Sequence, residues 1–110
     1  MLVHEALQPA INNILQDVNK KSGRLNLAKI VNDIMIYHTF TEDAARIAGE
    51  AGVKHLLLTH ILPPLPLSDL KGAFLGDVGK YYKGPITIGE DGISWSLPAG
   101  SGEILKQALL

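Results

Sequence analysis

The run Leu56-Leu57-Leu58-Thr59-His60, reached through Gly52, constrains this chain more than any other feature. Three consecutive leucines show no alternation of apolar and polar positions, and a strand over residues 53–59 with that pattern fits a sheet covered on both faces. Just upstream, Thr41-Glu42-Asp43 opens a helix: the threonine hydroxyl suits the cap, and two acids suit the positive end of the helix dipole. Ala44, Ala45, Ile47, Ala48 and Ala51 follow, small enough for the helix to press closely on a sheet, and Gly52 supplies a left-handed stop. Helix, glycine and buried strand make an α/β unit, so the expected fold class is α/β.

The flanking segments extend that unit. Residues 2–7 read as a short buried strand. Residues 8–20 predict a helix, because Ile11, Ile14, Leu15 and Val18 fall on one stripe at helical period, with Pro9 in the first turn and Ser22-Gly23 after the end. A second helix is expected over 26–35, with Leu27, Ile30, Val31 and Ile34 facing inward. After the prolines at 63, 64 and 66, residues 67–83 predict a fourth helix with Leu70, Phe74, Val78 and Tyr81 as its stripe. Gly72, Gly76 and Gly79 weaken it by up to about 1 kcal/mol each, and glycines so placed allow close approach to another backbone. Residues 85–88 and 93–97 predict a hairpin around Gly89-Glu90-Asp91-Gly92, and the tail from residue 102 a short helix.

Composition narrows the function classes. With 46% hydrophobic and 19% charged residues, the chain is not the charge-rich, apolar-poor kind that stays disordered, and 110 residues make one domain, 1–110. Ten Lys plus Arg against eleven Asp plus Glu leave a net charge of -1, so charge does not indicate nucleic acid. Prolines interrupt the longest apolar run, and no stretch reaches the about 20 residues of a spanning helix, so no membrane partner is expected. Without cysteine there are no disulfides or thiolate metal sites, and a cytoplasmic location is expected.

Chemistry must then come from four histidines, the carboxylates and the hydroxyls. No two of His4, His38, His55 and His60 share a metal-binding spacing, and a closed zinc site needs four ligands. His60 stands at the carboxyl end of the buried strand, where α/β sheets gather ligands; it either reaches a metal or caps the strand by bonding a loop carbonyl. His38 precedes the helix at Thr41, near backbone N–H groups that favour anions, as a proton donor, a phosphate contact or a solvated loop residue. Glu5, on an apolar strand, either ends that strand in solvent or orients a partner histidine. His55, after Lys54, is expected at the surface.

Three stretches together resemble the C-terminal part of metallo-β-lactamase-fold hydrolases, particularly the ribonuclease Z-like branch. Leu2-Val3-His4-Glu5-Ala6-Leu7 is similar to the family's strand ending in His-Glu-Ala-Thr or His-Glu-Ala-Leu. Tyr37-His38-Thr39 with Glu42-Asp43-Ala44-Ala45 is similar to its His-Ser/Thr segment before an alanine-rich helix. Ala51-Gly52-Val53-Lys54 leading to Leu58-Thr59-His60 is similar to its Ala-Gly-Val-Lys strand ending in Leu-Thr-His. The segment from Gly84 to Gly92, then Leu97-Pro98-Ala99-Gly100, resembles the closing hairpin.

The resemblance implies the C-terminal half of a four-layer αββα fold, a mixed sheet flanked by helices, and a dinuclear site, usually zinc, at the sheet ends. It makes His60 a metal ligand and Glu5 with His38 the catalytic pair for proton transfer. The implied activity is metal-dependent hydrolysis of a phosphodiester or related ester. The His-x-His-x-Asp-His hallmark is absent, as are the later His and bridging Asp, so the zinc site is incomplete. Pro63-Pro64 also replaces the Ser-Pro-Arg pattern of ribonuclease Z, which argues against tRNA maturation. The expectation is therefore a truncated piece, inactive alone, whose partner is a second copy or the missing N-terminal half. The alternative is a non-catalytic α/β module that dimerises or binds a partner protein.

Overall fold

In the computed structural model, which describes residues 1–65 and 68–109, β1 (Leu2–Leu7) and β2 (Leu56–Leu62) run side by side and parallel. β3 (Ile86–Ile88) joins the other edge of β2, also parallel, so β2 is the central strand. This explains the leucine run. Leu56 and Leu58 are fully buried against helices on one face, and Leu57 is 8% exposed on the other.

The helical face is built from α3 (Thr41–Ala51), whose Ala44, Ala45 and Ala48 meet Ala6, Leu56 and Leu58 in the core. Gly52 ends α3 in the left-handed region, at φ 65°, as the sequence predicts. The cap differs. Phe40 occupies the N-cap position, and the Thr41 hydroxyl is buried one residue inside the helix with no hydrogen-bond partner among the described residues.

α1 (Pro9–Lys21) and α2 (Leu25–Asp33) form a hairpin, and a 3-10 turn at Ile34–Ile36 continues α2. Gln8 anchors its base: Oε1 accepts from the Ala10 N–H, and Nε2 donates to the Phe74 carbonyl at 2.7 Å. Between the helices, Asn12 Nδ2 donates to the Val31 carbonyl at 2.6 Å, satisfying one of the unpaired acceptors in the last turn of α2. Of the two apolar stripes, Ile11 packs against the core, but much of the rest does not. Ile14, Val18, Leu27 and Ile30 are 63%, 46%, 47% and 56% exposed, because α1 and α2 pack chiefly on each other.

The expected helix over 67–83 is broken. Leu67 lies outside the described residues; beyond it come a 3-10 turn at Ser68–Leu70, α4 (Lys71–Leu75) and a second 3-10 turn at Val78–Lys80. Gly76, at φ 56° and ψ -130°, adopts a backbone no helix continues through. Phe74 and Val78 still reach the core, but Tyr82 replaces Tyr81 there and donates its hydroxyl to the Val53 carbonyl at 2.8 Å. The close backbone approach belongs to Gly49 of α3, against the Tyr81 carbonyl; Gly72 and Gly79 face open space.

The C-terminal pairing also differs. Residues 85–88 and 93–97 do not form a hairpin with each other: β3 pairs with β2, and β4 (Ile93–Ser96) pairs antiparallel with β5 (Leu105–Ala108). The tail is thus a strand, not a helix. In place of one mixed sheet there are a three-stranded parallel sheet and a separate two-stranded antiparallel ribbon. Among the described residues, no helix is long and apolar enough to cross a membrane.

Candidate functional site

The carboxyl ends of β1 and β2 carry the site. Past Glu5 the register slips: Glu5 faces Thr59, but Leu7 faces Leu62, so β2 holds one extra residue around His60 and Ile61. His60 takes φ 45° at this bulge, an uncommon conformation for a residue with a Cβ. On the other edge of β1, the 38–40 segment runs parallel to the strand. The Leu7 N–H donates to the Thr39 carbonyl at 2.8 Å, and Leu7 bridges to Phe40. β1 therefore ends between His38 and His60.

Glu5 ties the two edges together. Its Oε1 accepts from the Thr39 N–H at 2.8 Å, and its Oε2 meets His38 Nδ1 at 3.0 Å. Burial pushes the Glu5 carboxyl up, but the Thr39 N–H, the His38 ring and the Thr39 hydroxyl outweigh it, leaving the group below its ordinary value of 4.5. It is an anion at neutral pH. An anionic carboxylate only accepts, which assigns the proton to His38 Nδ1 and leaves Nε2 as the working nitrogen. Of the roles open to Glu5 and His38, the structure realises the oriented pair: the His38 side chain is 20% exposed and held, not solvated.

The His60 ring stacks on His38, with centroids 5.7 Å apart and planes at 25°. Glu5, His38 and His60 thus stand together. His60 also borders a groove of about 440 Å³ on the sheet face opposite α3, along with Glu90, Asp91 and Trp95. Glu90 is ion-paired with Lys71. The turn bearing Glu90 and Asp91 comes here because β3 is parallel to β1 and β2, so its carboxyl end lies on the same side. A hairpin over 85–97 would not place the turn there.

The residues present do not fit a dinuclear zinc site. Among the described residues, no group of three or more His, Asp or Glu side chains is placed to hold a metal ion. The two nearest histidines stack instead of converging their nitrogens, and one nitrogen of His38 is already engaged by Glu5.

The remaining histidines make contacts within the fold. His4 Nδ1 lies 2.7 Å from the Glu5 carbonyl. His55 is half-buried, not a surface residue: Nε2 lies 2.8 Å from Thr87 Oγ1, and its ring meets Trp95 edge-on at 5.2 Å. Burial, then the N-terminal amine and Lys106, push the His55 ring below its ordinary value of 6.5, so it is neutral at neutral pH. The Trp95 contact, reached through the β4–β5 ribbon, left no mark in the local sequence around Lys54. No protein-family model matches the chain, and no curated protein matches it.

Proposed function

We propose that the chain is part of a metal-dependent hydrolase that directs water at a phosphodiester or related ester, with Glu5 and His38 as its proton-handling pair. The observation supporting this is the meeting of Glu5, His38 and His60 at the ends of parallel strands, although 55 positions separate the first from the last. Glu5 keeps the proton on His38 Nδ1, so Nε2 exchanges protons with the reacting oxygen. When Nε2 carries a proton it donates to a developing oxyanion, while Glu5 holds the ring in place. His60 is the residue that would contribute to a metal. On this reading its co-ligands are supplied by another polypeptide, because among the described residues no group of three or more such side chains is placed to hold a metal, and the chain alone would not turn over. A cysteine-free chain suits a reducing cytoplasm.

Hydrolysis of bis(p-nitrophenyl) phosphate tests the proposal. The chain with added zinc should give only the background rate. Mixed with a polypeptide carrying the His-x-His-x-Asp-His half, it should gain zinc-dependent hydrolysis that His38→Ala lowers about 100-fold or more. Turnover by the chain alone, or a gain indifferent to His38→Ala, would contradict it.

One observation favours a second reading, a non-catalytic α/β module: the outward apolar stripes of α1 and α2. In that case Glu5 and His38 only hold the 38–40 segment to β1, and Glu5→Gln changes stability and nothing else.

A further inference from the structure

We propose that the β4–β5 ribbon is a pH-sensitive strap, held on the parallel sheet by the contact of Trp95 with His55 and released when His55 takes up a proton. The strap rests on the ribbon's own contacts and does not depend on the hydrolase proposal.

The ribbon is lightly attached. None of its residues belongs to the buried core, and β5 is exposed along its whole length. It forms a sheet of its own. Among the described residues, no hydrogen bond joins residues 93–108 to the parallel sheet or to a helix; the bonds they make stay within the segment from Glu90 to Leu109. What crosses to the sheet is aromatic: the Trp95 ring meets His55 edge-on at 5.2 Å. His55 stands just before β2 and is tied to β3, its Nε2 lying 2.8 Å from Thr87 Oγ1. The loop after β4 adds Gly102, close to the Lys54 ammonium. A segment with so little buried area opens at lower free energy than the core does.

The charges around His55 set the direction of the response. Thr87 Oγ1 can accept an N–H from the neutral or the protonated ring, so that bond does not oppose protonation. The cations do. Lys106 Nζ stands 5.7 Å from the centre of the same Trp95 ring, and the Met1 amine and Lys106 both act on His55 against a further positive charge. Lys54 precedes it in the chain. Of the carboxylates nearby, Glu90 is paired with Lys71 and also feels Lys106, and Glu103 shares a hollow with Met1 and Lys54. Neither is among the charges that act on His55.

Burial and these cations keep the ring neutral while the ribbon is seated. A ribbon that lifts returns His55 to water and carries Lys106 away, which favours the proton. By linkage, the proton favours the lifted ribbon. The seated form is therefore held above 6.5 and gives way as pH falls through the lower value of the seated ring. The consequence lies in the groove beside His60, where Ile93 and Trp95 of the ribbon and Val3 and Leu57 of the sheet are all lining residues. Lifting the ribbon removes one wall and widens access to His60.

Trp95 is the single tryptophan, so acrylamide quenching of its fluorescence in the full chain reads the strap directly. Between about pH 8 and about pH 5 the quenching constant should rise at least about twofold. The midpoint should lie below 6.5, with helical circular dichroism unchanged. His55→Gln, which keeps a hydrogen-bonding group for Thr87 but does not titrate, should remove the rise. Lys106→Gln, at an exposed position whose change does not threaten the fold, should keep the rise and move its midpoint up toward 6.5. A quenching constant that stays flat across this range would overturn the proposal. So would a rise that persists in His55→Gln, a midpoint that Lys106→Gln leaves in place or lowers, or a rise that comes only with loss of helical circular dichroism.

Discussion

The parallel sheet with α3 and the α1–α2 hairpin both carry patterned apolar residues, yet only the first has a finished core. Leu56, Leu58, Ala44, Ala45 and Ala48 are fully buried there, while Ile14, Val18, Leu27 and Ile30 of the hairpin are exposed. Both regions have the right periodicity. What differs is whether a second layer exists within the chain to receive the apolar face. Amphipathic patterning therefore states that a face must be covered, and not by what.

The largest expected effect separates the two regions directly. Leu58→Ala removes a fully buried side chain and should cost about 2–5 kcal/mol at any protein concentration. Ile14→Ala, at a position 63% exposed, should change stability by no more than about 0.5 kcal/mol. Denaturant melts read both, and a loss for Ile14→Ala that approaches that of Leu58→Ala would break the distinction. Next comes Gly49→Ala, which sets a Cβ against the Tyr81 backbone and should cost about 1–3 kcal/mol. A neutral result would mean that α3 is not pressed on that segment. Asn12→Ala, which leaves the Val31 carbonyl without its partner, should cost about 1 kcal/mol and loosen the hairpin without touching the sheet.

The smallest effect is pH dependence, which belongs to the sheet region. The His55 ring is depressed in the folded state, so its contribution is present above 6.5 and is lost as pH falls through its lower folded value. The Glu5 carboxyl is likewise depressed, and its contribution is lost only below 4.5. Thermal melts should show two successive losses on acidification. His55→Gln should remove the upper one and Glu5→Gln the lower; a single loss untouched by either variant would contradict these assignments.

Legibility in the sequence follows the same division. α3, Gly52 and the leucines of β2 were readable because local pattern and tertiary environment agree there; β1 forms where expected but is buried only at Ala6 and Leu7, with Val3 53% exposed. The meeting of Glu5, His38 and His60 was implied by a family resemblance; periodicity alone placed each at the end of its own element. The break at Gly76 was visible only as a weakened helix, since propensity does not state where φ and ψ will depart. The tail failed because Ile104, Leu105 and Leu109 fit a helical spacing as well as a strand, and pairing with β4 decided between them. Residues 85–97 failed because a good turn composition does not determine pairing. Ile86 and Ile88 extend the core beside Leu56 and Leu58, which a local hairpin would not do.

Zinc content per chain, measured by elemental analysis of protein purified without added metal, tests the central claim that the sheet ends bring Glu5, His38 and His60 together without assembling a metal centre. The expected result is zinc far below one equivalent, with Glu5 and His38 still paired. One or two tightly held zinc ions per chain would contradict it, and would mean that the ligands for a centre converge without the missing motif.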